Sequence, residues 1–382
     1  MEKKEKKQSV LSKYFSPGFV LMSVMIGGGF ATGREIVQYG GMYGARGWII
    51  GLFIAIGFSV LAMLAFEIAR LYKVYDYRSH LKIYAGPLTI LFDIIFFVIS
   101  LLVMSVMASA TGNILEGTLG IPYYGGVSII VIISALLAFF GKELIAKFEV
   151  WGALFLYIGY IVFAILAICG RTDNIARVFA EGDTSYITTG TFGIGALIWT
   201  GLIYVGYNIQ PLTTTFFVLE NQKTRKDTLI SGAIAGPIIV IPWALTYLAL
   251  MAYYPSEEVF GATIPWLVMM KDQGTAVVVI FCIVIGWTLI ATAVGVLNAI
   301  AGRIDNQLLE HNKPILSSKQ RTMITLAYLV GAVILAKIGI IDLIGKGYMV
   351  MSYGFIISFI VPLITVGLYK IITFKKTHSN TN

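Results

Sequence analysis

The chain has 382 residues, of which 58% are hydrophobic and only 13% charged, about half the charged share of a soluble domain. That balance excludes a soluble globular protein. The net charge of +8 does not point to nucleic acid, because the charges fall in short clusters between long apolar runs, as loops of a polytopic protein do. Cys169 and Cys282 lie inside apolar runs without CxxC spacing, so they are read as small buried side chains and not as a disulfide or metal site. GxSxG, HExxH and GxxxxGK[ST] are all missing. No catalytic cluster is expected, and a nucleotide-driven pump is disfavoured.

The apolar runs divide into ten predicted spans at 17–39, 47–71, 87–113, 124–141, 145–169, 190–219, 229–253, 275–303, 321–337 and 343–372. Several exceed the roughly 20 residues that cross a bilayer, which implies tilt or a break. The connections are short, so 17–372 reads as one all-α, polytopic membrane domain between a basic segment 1–16 and a tail 373–382. The first run lacks an A-x-A-like cleavage site and is expected to remain as a span. With both termini placed in the cytoplasm, 21 of the 28 Lys and Arg residues fall in cytoplasmic segments, the bias expected of a cell-membrane protein. The N-terminal MEKKEKK is then an orientation signal that touches anionic membrane lipids.

The first span carries IGGGFATGREI over 26–36. Gly27, Gly28 and Gly29 allow the backbone to leave helical geometry and approach a ligand closely. Unwinding frees peptide groups at mid-membrane, where only polar partners make them tolerable. Inner-half carbonyls suit a cation, and N–H groups opening the outer half suit a carboxylate. The alternative is that the glycines only let helices pack closely. Arg34 and Glu35 are adjacent, so they point about 100° apart and need separate partners. Asp342, opening the tenth span, is the expected partner of Arg34 across an external gate that includes Glu35; snorkelling of Arg34 to the headgroups is the alternative.

Glu67 is placed to pair with Arg70 at the inner end of the second span. In the third, Ser105, Ser109, Thr111 and Asn113 form a polar patch, and Asp93 lies near the cytoplasmic face, as does Glu149 of the fifth. The sixth span repeats the interruption as YVGYNIQP over 204–211. There Gly206 and Asn208 loosen the helix, Pro211 removes a donor, and Tyr204 and Tyr207 flank the break. Interruptions at matching positions of two halves, about 17–169 and 190–372, point to a five-plus-five inverted repeat with its binding site between them. In the eighth span Thr288 and Thr292 share one helix face and offer hydroxyls to a hard cation, unless each bonds back to its own helix.

The ten spans, the two breaks and the run GGGFATGREIVQYGG resemble the YkvI-like family of bacterial membrane proteins, a branch of the amino acid–polyamine–organocation superfamily, over nearly the whole chain. A more distant resemblance is to the neurotransmitter:sodium symporters. It implies an external pair between Arg34 and Asp342, and a sodium site at Val24, Gly27, Thr288 and Thr292. Ala291 stands where those symporters carry a second hydroxyl, and the third span offers Ser105 and Ser109 where they use a tyrosine. The candidate substrate residues are therefore Gly28, Gly29, Phe30, Ala31, Ser105, Ser109, Tyr204, Gly206, Tyr207 and Asn208. The expected function is alternating-access transport of a small organic solute, an amino acid or related zwitterion, coupled to Na+ or H+, with Na+ favoured. Lys147 and Glu35 are the titratable candidates for proton coupling. No other cofactor is expected. The alternative is a membrane receptor that binds a solute on the same fold without transporting it.

Overall fold

The computed structural model describes residues 10–140, 157–187 and 192–379, which contain helices and turns and no strand. The first nine residues and 141–156, with Lys147 and Glu149, lie outside the described residues. Each of the ten spans has a helix within the described residues. Five are long and apolar enough to cross a bilayer unaided: Gly41–Tyr72, Leu88–Leu119, Arg225–Met251, Thr275–Glu310 and Ile340–Phe374. The fourth and ninth are Tyr123–Phe140 and Ser318–Ala336. The first and sixth are each made of separate pieces, Val10–Met25 with Gly28–Ala31 and Arg34–Gln38, and Ile194–Tyr207 with Gln210–Asn221. The fifth ends at Ile168, and the chain bends by 77° into Thr172–Glu181.

The helix starts are written locally. Thr224 and Asp227 form a capping box at the head of the seventh span, and Ser317 and Gln320 form one at the ninth. Asp76 accepts from the Arg78 and Ser79 N–H groups and opens a short helix, Tyr77–Tyr84, between the second and third spans.

Polar contacts group the span ends on two faces. On the face carrying the termini, Lys13 pairs with Asp227 at 2.7 Å, Arg78 with Glu310 at 3.1 Å, and Tyr72 packs edge-on against Phe374 at 5.2 Å. On the opposite face Arg171 pairs with Asp272 at 2.8 Å, and Asn174 donates to the carbonyl of Tyr254 at 3.0 Å. Helices therefore run up and down through one layer. The second and seventh spans pack along a small-residue seam: a Cβ on Gly236 would stand 2.0 Å from the carbonyl oxygen of Ala55. There a methyl group would force the two helices apart.

At the termini face two buried carboxylates are held in ion pairs. The eighth span continues to Glu310, so Arg303, the last residue of the predicted span, is buried inside the bundle. Its Nη1 lies 3.2 Å from Asp93 Oδ1, and its guanidinium stacks 3.7 Å above Phe96 and 3.9 Å above Tyr77. Asp93 is thus held in an internal ion pair and does not reach headgroups. Glu67 pairs with Arg70 at 2.6 Å and also accepts from the Thr228 hydroxyl at 2.6 Å, joining the second and seventh spans.

His80, on the short helix between the second and third spans, is fully buried. Its Nε2 bonds the carbonyl oxygen of Ala65 at 2.8 Å, and its ring stacks on Phe216 at 4.1 Å. Burial pushes its imidazole down from 6.5 to about 4. The unfolded chain takes up this proton first, so the contribution of neutral His80 is complete above the unfolded value and is lost as pH falls toward the folded one. Thermal unfolding in detergent is expected to show a loss of about 3 kcal/mol across that window. In His80→Leu the loss should shrink; an unaltered slope would assign it to other groups.

Candidate functional site

The backbone breaks where the glycines predict. The Gly27 N–H turns back to the Met25 carbonyl at 2.7 Å, Gly27 is extended at φ −104° and ψ −163°, and a new helical turn opens at Gly28. A second interruption follows at Thr32 and Gly33. Gly33 takes φ +83°, a left-handed conformation that glycine adopts without strain. In the sixth span the helix stops at Tyr207, Asn208 donates its side-chain amide to the Tyr204 carbonyl at 3.2 Å, and the chain resumes as a 3-10 helix with Pro211 in its first turn.

Both breaks open on one cavity of about 700 Å³, within the range of small-molecule sites. It runs from the breaks toward the termini face. Its walls are the inner half of the first span (Ser23 to Gly29), one face of the third (Phe96, Ser100, Val103, Met107), the second break (Tyr207, Asn208, Gln210, Pro211) and the eighth span (Thr288, Thr292, Asn298), with Tyr348 of the tenth. The opposite face is shut over the first break. The Trp266 backbone N–H donates to the Thr32 carbonyl at 3.3 Å, Tyr160 hydroxyl to the Phe30 carbonyl at 2.7 Å, and Arg34 Nη1 to the Phe260 and Ala262 carbonyls at 2.5 and 3.2 Å.

The candidate residues divide accordingly. Gly28, Gly29, Tyr207 and Asn208 line the cavity, as do all four ion candidates, Val24, Gly27, Thr288 and Thr292. Thr292 Cγ2 would touch a Cβ on Gly27 at 3.3 Å, so the eighth span meets the first at its break. Thr288 donates back to Val284 at 2.9 Å, which leaves its oxygen lone pairs free.

Phe30, Ala31, Tyr204 and Gly206 are buried behind the wall. Ser105 and Ser109 are on the wrong face of the third span: two residues on from Val103 and Met107, they point about 200° round the helix. Ser105 bonds back to Leu101 at 2.7 Å, and Ser109 accepts from the hydroxyl of Tyr123, on the fourth span, at 2.9 Å. Ser100 takes their place in the cavity.

The expected gate pair does not form. Arg34 is spent on loop carbonyls, whereas Asp342 pairs with Lys346, one turn along its own helix, at 2.8 Å. Glu35 is 5% exposed, lines the cavity, and has no ion pair among the described residues. It lies on the cavity wall and not at the protein surface. The amides Gln210 and Asn298 and the hydroxyls Ser100 and Thr214 were missed in the sequence, since nothing but helix phase distinguishes them from packing residues.

No protein-family model matches the chain, and no curated sequence does. Among solved structures, a substrate-bound, outward-open Na+-coupled sialic acid symporter superposes with a TM-score of 0.60 at 17% identity, over 95% of this chain and 82% of the other. A manganese transporter of Eremococcus coleocola, solved as a point mutant, superposes with a TM-score of 0.56 at 14% identity, over 95% of this chain and 80% of the other. At these identities the similarity is one of fold: a multi-pass, all-helical membrane protein.

Proposed function

We propose that the protein is a secondary transporter that moves a small organic solute, an amino acid or related zwitterion, by alternating access around the central cavity. The observation that carries this is the meeting of two mid-span helix breaks on one cavity, closed on one face and extending toward the other. Free peptide groups at membrane depth are tolerated where they line such a cavity, and broken helices let one bundle rock against the rest. The likeness of fold to two transporters supports the reading. We place the chain in a bacterial cell membrane with both termini in the cytoplasm, which makes the described state inward-facing.

The coupling ion in this reading is Na+, held by the Thr288 and Thr292 hydroxyls with carbonyl oxygens near Val24 and Gly27, since hard cations prefer oxygen ligands. The test is uptake into proteoliposomes from a pool of labelled metabolites, with and without an inward Na+ gradient. Gradient-driven accumulation is expected. Thr292→Ala is expected to weaken the sodium dependence of accumulation by about tenfold or more in the half-saturating concentration. Unchanged dependence would exclude Thr292 from the ion site, and binding without accumulation would favour the receptor reading.

A further inference from the structure

The cavity has an uneven charge that the transport reading leaves unused. Glu35 is the one charged side chain among the described residues lining it; the other polar groups are amides, hydroxyls and peptide groups. Its neighbour Arg34 faces away to the carbonyls of Phe260 and Ala262, so the nearest cation in sequence does not neutralise it. The carboxyl packs over Gly29, where an added Cβ would lie 3.2 Å from Glu35 Cδ. It therefore sits at the head of the cavity, against the break.

Around it stand five tyrosines from four spans, all within electrostatic reach of the carboxyl: Tyr39, Tyr160, Tyr204, Tyr207 and Tyr348. Four of the rings form a continuous cluster, with centroids 5.3 Å apart for Tyr39 and Tyr207, 5.3 Å for Tyr204 and Tyr207, and 5.0 Å for Tyr207 and Tyr348. Tyr207 and Tyr348 also line the cavity. The Tyr207 hydroxyl is buried beside the carboxyl, within hydrogen-bonding reach of it. Tyr39 hydroxyl, by contrast, is fixed on the Ile344 carbonyl at 3.2 Å.

A buried carboxylate without a cation is a strongly unfavourable arrangement in hydrocarbon, so the Glu35 carboxyl holds its charge only when a cation joins it. Aromatic faces cannot neutralise it, but they do attract the same cation that it attracts. We propose that Glu35 and its tyrosine ring form the ammonium subsite of the cavity: the carboxylate takes the positive charge of the solute, and Tyr207 and Tyr348 flank it. The subsite rests on the transport reading for its place in a cycle, and it narrows the cargo to solutes bearing an amino or quaternary ammonium group. A dianionic solute is excluded, because no basic side chain among the described lining residues would balance it.

The test uses the full chain purified in detergent, with thermal unfolding followed against methylammonium and tetramethylammonium chloride at ionic strength held constant with KCl. Saturable stabilisation of the wild type by either ion is expected, with acetamide inert. Glu35→Gln keeps the side chain's size and removes its charge, and should weaken this binding by about tenfold or more. Glu35→Asp should recover part of it, and Tyr348→Leu should weaken tetramethylammonium more than methylammonium. Equal stabilisation of Glu35→Gln and wild type overturns the proposal, as does the lack of stabilisation of the wild type by either ion. A response to Na+ or to pH alone that Glu35→Gln abolishes, with ammonium ions inert, also overturns it and assigns the carboxylate to the coupling ion. Uptake scored in parallel separates the two readings. Glu35-dependent ammonium binding without accumulation leaves the subsite standing and removes transport; accumulation that survives Glu35→Gln unchanged does the reverse.

Discussion

Arg303→Met is expected to destabilise the detergent-purified protein by about 3–5 kcal/mol, the cost of leaving one member of a buried ion pair alone. Both partners are under a tenth exposed, at 7% for Arg303 and 4% for Asp93. Gln307 donates a further bond to Asp93 Oδ2 at 3.1 Å. Removing the guanidinium strands the Asp93 carboxylate between the third and eighth spans with one neutral donor. Asp93→Asn should cost less, because the Arg303 guanidinium keeps two aromatic faces beneath it and the Thr213 hydroxyl at 3.4 Å. The pair Asp93→Asn with Arg303→Met removes both charges and should regain much of the loss. Melting temperatures of the three variants close the cycle. If the double variant is as unstable as the sum of the singles, the two groups are not coupled and the ion pair is not what holds these spans.

Gly206→Ala is the second large effect. A Cβ at Gly206 would stand 2.0 Å from Ser352 Oγ, and that hydroxyl is bonded to the Ile203 carbonyl at 2.8 Å. The new methyl therefore overpacks the contact between the sixth and tenth spans and displaces the hydrogen bond. Overpacking costs about 1–3 kcal/mol, and the lost bond adds about 1 kcal/mol. Ser352→Ala removes the oxygen and leaves a Cβ 3.2 Å from the new methyl, so the double variant should recover most of the stability. Lack of recovery would show that Gly206 is needed for its backbone and not for the close approach. Gly28→Ala makes a useful contrast. Its methyl would meet Met107 Cε at 2.0 Å, but a thioether end can swing aside, so stability should fall less while the cavity wall changes shape.

The residues that broke the spans were legible one by one. Three consecutive glycines in an apolar run, and Gly206 with Asn208 before Pro211, each withdraw something a helix needs: a Cβ, a propensity or a donor. Such losses act locally, so the sequence states them without reference to neighbours. The polar patch of the third span was also visible, but its direction was not. Ser105 and Ser109 satisfy themselves against Leu101 and Tyr123, and Ser100 faces the cavity from the other side of the same helix. Phase about a helix axis is set by what packs on each face, and a nearly uniform apolar sequence gives little amphipathic signal to read it from.

Pairing was the least legible property. The sequence pairs Arg34 with Asp342, since both carry charge on the external side of their spans. The loop between the seventh and eighth spans folds over the first break and offers carbonyls to Arg34 instead, and Lys346 reaches Asp342 from one helical turn away. A lone carboxylate such as Glu35 could be noticed in the sequence, but its exposure to the cavity and its five tyrosine neighbours come from four different spans. Arg303 gave no warning of its burial, because the eighth helix runs beyond its apolar stretch.

The sequence by itself determined that this chain is helical, crosses the bilayer many times and interrupts two of its helices, because hydropathy and backbone propensity are sums over neighbouring residues. Only the tertiary structure decided which faces meet, which charges pair and which carboxylate is left facing the cavity. Those outcomes depend on contacts between residues as many as 305 positions apart, where burial multiplies the cost of every unpaired polar group and a rotation of one helix exchanges its partners.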